Sequence, residues 1–525
     1  MLYSARSRRG MVTAPHHLAA QSGRDILKAG GNAVEAAVAV AATLSVVYPH
    51  MTGLGGDGFW IIRRPDGVIV AIDACGRLAQ SAKPELYAGL DAVPWRGGLA
   101  ANTVAGTAAG WSRALAYAGG TLPLTQILED AIGHAEHGMV VTESMAGLMA
   151  AHLDVLSYMP NFKSLFLPNG DMPIAGAVHR NPALARTLRR LANAGLGDFY
   201  HGKLADLIAA ELTACGSPVS LDDLAHHQAV VSRPLETTLH HGQFYNMPAP
   251  TQGAASLLIL ALAERLGVKG ADTVEDIHRW VEATKAAFLW RDRVIADPAI
   301  MKTSPQALLS DPAALDTMAG EIDVSCAAPW PHPVQQGDTT WFGVMDEQGW
   351  AVSMIQSLYF EFGSGVVLPE TGLVWQNRGS SFDLAPGRLR SLVPGRKPFH
   401  TLNPAMATLN DGSLLSYGTM GGEGQPQTQA AIVARNVIAG LSLQDAITAP
   451  RWLLGRTWGE TTTTLKMETR FDPAILDGLR ELGHDVESLT PFATAMGHAG
   501  AIRRYEDGTM EGATDPRSDG GVAAL

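Results

Sequence analysis

The sequence predicts an α/β fold, on the evidence of three β-hairpins, several periodic helices and enough apolar residues for a large core. The hairpins are expected at 59–73, 339–356 and 404–418, each around a turn that contains glycine. Of the 525 residues, 46% are hydrophobic and 17% are charged, which is typical of a globular protein. This length exceeds that of one ordinary domain, although large α/β layers can form a single unit. Helical periodicity predicts helices over 17–29, 32–48, 122–138, 181–195, 200–215, 254–266 and 275–294.

The first two helices and the first hairpin have recognisable boundaries. The helix over 17–29 stops at Gly30, and Asn32 is a suitable N-cap for the next helix, which ends before Pro49. The loop over 52–58 contains the glycines of a phosphate-binding loop. It follows a helix and opens a strand, however, which is the reverse of the order in a dinucleotide-binding loop. We therefore interpret it as a tight structural turn.

Composition limits the possible partners. A formal charge of −12 and the lack of a long basic run argue against nucleic acid. The longest apolar stretch, 36–48, is short for a membrane span and is interpreted as a buried helix. The basic N-terminal residues are not followed by an apolar run of signal-peptide length, so we expect a cytoplasmic protein without membrane attachment.

The cysteines and histidines predict neither a disulfide framework nor a metal site. Cys75, Cys215 and Cys326 are far apart, as expected in a reducing compartment. His134 and His137 stand at i,i+3, but no third ligand is nearby, so a solvated helix end is the preferred interpretation. We expect neither a metal nor a cofactor.

Two segments carry candidate chemistry. Asp338 and Thr339 follow a proline-rich, disordered-looking tract at 328–336 and begin the second hairpin. A threonine at the start of a strand is ordinary, because its β propensity is high. If the bond before Thr339 were cut, however, its hydroxyl nucleophile and a neutral α-amine base would share one residue. Gly421 and Gly422 precede an apolar helix, and they predict either an oxyanion cradle of bare N–H groups or a plain helix-entry turn.

These segments resemble the γ-glutamyltranspeptidase family of N-terminal-nucleophile hydrolases. The resemblance implies a four-layer αββα sandwich and a proenzyme that cuts itself between Asp338 and Thr339. The large chain, 1–338, and the small chain, 339–525, would stay associated as one αββα unit and one heterodimer, with a dimer of heterodimers left open. The matching motifs lie at 30–38, 53–59, 247–253, 282–285, 339–340, 421–422 and 512–517.

The resemblance assigns the reaction centre residue by residue. The nucleophile falls on Thr339, and the oxyanion hole falls on the backbone of Gly421 and Gly422. Ser357 matches a threonine that hydrogen-bonds the nucleophile's hydroxyl in the family. The acyl-transfer chemistry is therefore expected to be intact.

The positions that bind the γ-glutamyl group in the family differ in this chain. Cys75 replaces an arginine, with Arg77 two residues further on, and a shorter segment between Ser381 and His400 implies a more open pocket. Losing an ammonium-binding aspartate at Ser381 while gaining a cation at Arg378 disfavours a γ-glutamyl substrate. The substrate-binding set that the resemblance implies is Tyr359, Asn377, Arg378, Ser381, His400 and Thr401.

Segments 377–382, 399–404 and 418–427 are similar to the oxamate amidohydrolase branch of this family, which acts in purine-derived nitrogen salvage. This similarity implies hydrolysis of a small carboxylate-bearing amide by water, with Arg378 as the carboxylate clamp; a structural ion pair is the alternative for Arg378. Two further functions stay open. One is a γ-glutamyl hydrolase or transpeptidase acting on glutathione-like amides, and the other is a binding protein of the same fold that never cleaves.

Overall fold

Two antiparallel sheets of seven strands form the centre of the molecule. The computed structural model describes residues 3–330, 338–455 and 463–525, so most of the tract expected to precede the cut, residues 331–337, lies outside the described ranges. The first sheet contains, from edge to edge, Gly521–Ala524, Gly10–Ala14, Asp338–Asp346, Ala351–Tyr359, Asp57–Arg63, Ile69–Ala74 and Val230–Ser232. The second contains Ala5–Ser7, Met510–Thr514, Ala499–Arg504, Leu414–Thr419, Ala405–Leu409, Gly242–Asn246 and Leu235–Leu239.

Strand alternation divides the interior into three apolar layers. In the strand Asp57–Arg63, Phe59 and Ile61 face the second sheet, whereas Trp60 and Ile62 face helices, because successive strand residues point to opposite sides. One apolar cluster lies between the sheets, and the other two lie between each sheet and its own helices. The structure therefore has four layers in the order αββα, which confirms the fold implied by the resemblance.

The helices form the two outer layers. Those packed on the first sheet are His17–Lys28, Ala33–Val47, Thr107–Ala118, Leu124–Ile127, Glu129–His137, Glu143–Leu156, Phe162–Phe166, Pro182–Ala194, Asp198–His201, Lys203–Ala214 and Leu221–Ala225. Those packed on the second sheet are Gly253–Arg265, Val274–Val294, Pro305–Leu309, Pro312–Gly320, Gln425–Ile432 with its π-helical continuation Val433–Ile438, Leu443–Thr448 and Pro473–Glu481.

Short elements complete the structure. The small strands are Met139–Val140 with Val178–His179, Val367–Leu368 with Leu373–Val374, and the trio Trp452–Leu454, Leu465–Glu468 and Val486–Leu489. Single 3₁₀ turns occupy Pro84–Tyr87, Pro298–Ile300, Arg378–Ser381, Gly422–Gly424 and Thr494–Met496.

Most predicted elements are present, but two of the predicted helices are broken. The helix predicted over 200–215 is interrupted at Gly202, which is extended at φ −113° and ψ −168°. The Asn32 side chain accepts the N–H groups of Val34 and Glu35, and the Glu35 carboxylate accepts the N–H of Asn32, so the predicted cap is a full capping box. The helix predicted over 122–138 is two helices, because Leu128 leaves helical geometry at φ −96° and ψ 1°. None of the helices in the described ranges is long and apolar enough to cross a bilayer. Residues 36–47 of the apolar stretch belong to the fully buried helix Ala33–Val47, and Tyr48 is its C-cap.

Candidate active site

Thr339 lies at an irregularity in a central strand of the first sheet. Asp338 pairs with Tyr359, but Thr340 pairs with Gln356, so Thr339 alone faces two residues of the neighbouring strand. Such a bulge re-aims a side chain and is frequent beside active sites. Thr339 is fully buried. The residue predicted as nucleophile therefore stands where the regular ladder is interrupted.

Gln425 directly contacts the Thr339 hydroxyl. Its Nε2 donates to Thr339 Oγ1 at 2.8 Å, and its Oε1 accepts the backbone N–H of Asn403 at 3.2 Å. The residue begins the helix Gln425–Ile432. The sequence analysis did not single out Gln425. Its position just after the glycine pair was the sequence feature that could have indicated it.

We expect Gln425→Ala to slow self-cleavage and to lower kcat by about ten- to a hundredfold, because the hydroxyl loses a neighbour that orients it. Gln427→Ala is the matched control. Gln427 is equally buried, but it bonds the backbone of Leu454 instead. Timed denaturing gels and steady-state rates measure both effects. Equal losses in the two variants would show that Gln425 acts only through packing.

The glycine pair has the backbone geometry of a sharp turn into a helix. Gly421 has φ 117° and ψ 37°, a left-handed conformation that favours glycine. The N–H of Gly424 donates to the carbonyl of Gly421 at 2.7 Å. Because C=O and N–H point in opposite directions across a trans peptide, the N–H of Gly422 points away from this turn. The oxyanion role of the pair stays a prediction.

A buried network fixes the glycine pair against the segment at 400–401. Gln252 Nε2 donates to the carbonyls of Gly422 and Thr401, both at 2.8 Å. Gln252 Oε1 accepts from Arg291 Nη1 at 2.9 Å, and Arg291 Nη2 bonds Glu423 at 3.0 Å. Sequence reasoning quoted the motif at 247–253 but assigned no role to Gln252. The network holds two predicted substrate-facing segments in one arrangement.

Arg378 is a buried cation that stacks on an aromatic ring and has no hydrogen bond to any described residue. It is 1% exposed, and its guanidinium carbon lies 3.6 Å from the centre of the Tyr359 ring. Within the described ranges, none of its three nitrogens has a hydrogen-bond partner, and no carboxylate oxygen lies within 4.0 Å. Burial lowers the pKa of Arg378 to about 10, so the side chain stays charged at neutral pH. This arrangement gives no support to a structural ion pair.

Tyr359 supports Arg378 from a strained backbone position. Its φ is +85°, which is uncommon for a residue other than glycine. Its N–H donates to Ser357 Oγ at 2.8 Å, and its ring stacks on Phe360 with centroids 4.4 Å apart. Strain of this kind is frequent at functional sites. Tyr359 also pairs with Asp338, so the stacked Arg378 lies close to the predicted cleavage point.

A carboxyl–imidazole pair lies beside Arg378. His400 Nε2 is 3.3 Å from Asp57 Oδ2, and both residues are buried. Burial raises the pKa of Asp57 to about 7 and lowers that of His400 well below its usual value, so the imidazole is neutral. Sequence reasoning took the loop around Asp57 as a structural turn. The turn is present, but one oxygen of Asp57 also faces the site.

The remaining predicted residues divide into two groups. Ser381 and Thr401 are buried on the same segments as Arg378 and His400. Asn377 accepts the N–H of Phe360 at 3.1 Å and donates to the carbonyl of Trp95 at 2.7 Å, so a substrate contact would have to replace one of these bonds.

Cys75 and Arg77 lie at or just after the position where the resemblance places the glutamate-binding arginine. Arg77 is half exposed and donates to the carbonyl of Gly395 at 2.9 Å. Cys75 belongs to the core between the sheets, where burial raises the pKa of its thiol. The role of Arg378 as the carboxylate clamp stays a prediction.

Four residues of the predicted site are buried in the uncut chain. Thr339, Arg378, Ser381 and His400 are each at most 1% exposed. Asp338 and Thr339 belong to one unbroken strand, Asp338–Asp346, so this burial is that of the uncut chain. The more open pocket expected from the shorter segment between Ser381 and His400 stays a prediction for the processed enzyme.

One cluster of potential metal ligands was not anticipated. His278 Nδ1 lies 2.8 Å from His484 Nε2, and the carboxylate of Glu282 is nearby. Lys285 Nζ is 2.6 Å from Glu282, so this carboxylate already has a cation. The cluster is best explained as a buried ion pair beside two hydrogen-bonded imidazoles.

Comparison with known proteins identifies the family of this chain. The sequence pattern described as Gamma-glutamyltranspeptidase matches residues 19–525. The chain is 53% identical to the oxamate amidohydrolase proenzyme of Klebsiella pneumoniae and 39% identical to a glutathione hydrolase-like proenzyme of Bacillus subtilis, each over 98% of both chains. The crystal structure of cephalosporin acylase from Bacillus halodurans matches with a TM-score of 0.91 and 32% identity, over 99% of this chain and 97% of that one. This protein belongs to the γ-glutamyltranspeptidase family.

Proposed function

We propose that this chain is the proenzyme of an amidohydrolase that converts oxamate and water to oxalate and ammonia. Cleavage before Thr339 would produce a large chain, 1–338, and a small chain, 339–525, that remain one heterodimer. The relative at 53% identity carries the name oxamate amidohydrolase proenzyme, which supports both the reaction and the self-cleavage.

The observation that carries the proposal is the buried guanidinium of Arg378, which forms no hydrogen bond to any residue in the described ranges. A buried charge without hydrogen bonds is costly, and a substrate carboxylate would supply two charge-assisted bonds of roughly 1.5–3 kcal/mol each. Oxamate carries its carboxylate directly on the amide carbonyl carbon. The close approach of Arg378 to the Thr339 region, through Tyr359 and Asp338, suits this short spacing.

The proposed steps use groups of this chain and water. The α-amine of Thr339 takes the proton from its own hydroxyl as Oγ1 attacks the amide carbon. The N–H groups of Gly421 and Gly422 stabilise the oxyanion of the tetrahedral intermediate. Collapse breaks the C–N bond, and the protonated amine returns its proton to the departing nitrogen, which leaves as ammonia. Water then hydrolyses the ester in the same way and releases oxalate.

A γ-glutamyl substrate is the second candidate, and one contact favours it. The Oδ2 atom of Asp57 faces the site and is an acceptor for the ammonium of a glutamyl group. The relative at 39% identity has a glutathione hydrolase-like name. A binding protein that never cleaves is the third candidate, and it predicts a single intact chain.

Two assays separate these candidates. Ammonia release from oxamate is expected to exceed p-nitroaniline release from γ-glutamyl-p-nitroanilide by at least about a hundredfold in kcat/KM, since each lost charged contact costs about 1.5–3 kcal/mol. The opposite ranking would favour the γ-glutamyl function. A lone 55.5 kDa band on a denaturing gel of an active preparation would contradict self-cleavage.

The proposal includes the cellular setting. We propose a cytoplasmic enzyme of nitrogen salvage from purines, supported by the widely spaced cysteines and by the resemblance to the oxamate amidohydrolase branch.

A further inference from the structure

The carboxylate of Asp57 has one oxygen fixed by the fold and one that is not. Oδ1 accepts the N–H groups of Gly76 at 2.9 Å and Gly106 at 3.1 Å, and Nε2 of Gln376 at 3.1 Å. Oδ2 is buried and forms no hydrogen bond to any described residue; its near neighbour is His400 Nε2 at 3.3 Å. Both ring nitrogens of His400 likewise have no hydrogen bond there. Oδ2 of Asp57 and both ring nitrogens of His400 are thus buried polar atoms without a hydrogen bond to any described residue.

These atoms lie in the field of Arg378. The guanidinium interacts electrostatically with both Asp57 and His400, and its own three nitrogens are unbonded among the described residues. An acceptor, an imidazole and a cation therefore lie within electrostatic range of one another. The other titratable or charged groups that act on the pair are Cys75, Tyr200 and Lys397, and Lys397 is bound to Asp73 at 2.6 Å.

We propose that Asp57 and His400 together take up one proton from solvent when the carboxylate of an anionic amide binds to Arg378. Binding of the anion is thereby coupled to protonation of the site, and the site favours anionic amides over neutral ones. This inference rests on the proposed function, since it takes the substrate to be an anion. Asp57 and His400 would act as specificity-determining residues.

The physical reason is competition between two anions for one cation. Ionised Asp57 interacts favourably with Arg378 and repels an incoming carboxylate in a site that excludes water. Protonated Asp57 is neutral, leaves the full charge of Arg378 to the substrate, and can donate to His400 or to a substrate oxygen. Proton and substrate anion enter together, so the net charge of the site is unchanged. Burial raises the pKa of Asp57 to about 7, which places the uptake near neutral pH.

A comparison of two amides isolates this effect. Oxamate is an anion, whereas pyruvamide carries an acetyl group in place of the carboxylate and is neutral. Both reactions need the neutral Thr339 amine, so the pH dependence that this amine contributes is the same for both substrates and drops out of the ratio of their kcat/KM values. In the wild type we expect the ratio to fall about tenfold per pH unit above pH 7, since the binding of one proton is lost. A ratio independent of pH between 6 and 9 would overturn the proposal.

Asp57→Asn keeps an oxygen for the three fixed hydrogen bonds and removes the titration. In this variant the ratio is expected to stay constant with pH and, at pH 9, to exceed the wild-type ratio at least about tenfold. Asp477→Asn, on an exposed surface helix, is the matched control and should reproduce the wild-type slope. A slope that persists in Asp57→Asn would overturn the proposal. So would a loss of γ-glutamyl-p-nitroanilide turnover in this variant alone, because Asp57 would then hold an ammonium.

Calorimetry of the processed wild-type enzyme gives a test that needs no variant. Oxalate is titrated at pH 8 in phosphate and in Tris, two buffers with different heats of ionisation. The expected uptake is between about 0.5 and 1 proton for each oxalate bound, and zero uptake would contradict the proposal. Failure of the wild type to hydrolyse oxamate at any pH would instead reject the proposed function, so the two failures are distinguishable.

Discussion

Thr339→Ala is expected to leave one uncut 55.5 kDa chain with no amidohydrolase activity. The variant lacks the hydroxyl that would attack the preceding peptide bond, so the α-amine that would serve as base is never released. The contact from Gln425 Nε2 to Thr339 Oγ1 is lost as well. A denaturing gel shows the first effect, and ammonia release from oxamate shows the second.

Thr340→Ala is the matched control for this variant. Thr340 is the next residue in the strand and is equally buried, but its hydroxyl donates to the carbonyl of Gln356 at 2.8 Å. It is expected to be cut and to retain turnover. Thr339→Ser retains a hydroxyl and is expected to be cut more slowly. Turnover by Thr339→Ala, or a mature small chain that begins elsewhere than Thr339, would contradict the assignment of the nucleophile.

Arg378→Ala is expected to raise KM for oxamate on the order of a hundredfold, with a smaller change in kcat. The variant removes charge-assisted hydrogen bonds that together contribute about 3 kcal/mol, and tenfold in affinity corresponds to about 1.4 kcal/mol. The KM of pyruvamide, which has no carboxylate, is expected to stay within about threefold. Steady-state kinetics on the processed variant measure both values.

Arg77→Ala separates a local role of Arg378 from a general effect of charge. Arg77 is half exposed and bonds the carbonyl of Gly395, so its removal takes away the same charge at the surface. The KM for oxamate is expected to change by less than about twofold, as for exposed charges in general. If Arg378→Ala showed unchanged kinetics, Arg378 would have no part in substrate binding.

Sequence reasoning succeeded where local pattern decides the structure. The hairpin at 339–356 and the helix cap at Asn32 agree with expectations based on alternation and capping. The four layers were implied by the resemblance and not by periodicity, because a hydrophobic pattern predicts which face is buried but not what covers it.

The missed residues have partners far away along the chain. Asp57 was taken for part of a turn, since nothing local indicates that His400 lies 3.3 Å from it. Gln252 connects Gly422 with Arg291 across three separate segments. Such contacts follow from the tertiary fold, which the sequence pattern alone does not specify.

The arrangement of strands around Thr339 fixes the order of maturation. The strand Asp338–Asp346 lies between Gly10–Ala14 and Ala351–Tyr359, and both sheets combine strands from the two sides of the proposed cut. The hydroxyl, Gln425 and the glycine pair come together only after these strands have assembled. Folding is therefore expected to precede cleavage. Two chains synthesised separately would have to pair their strands within both sheets before they could form the same structure.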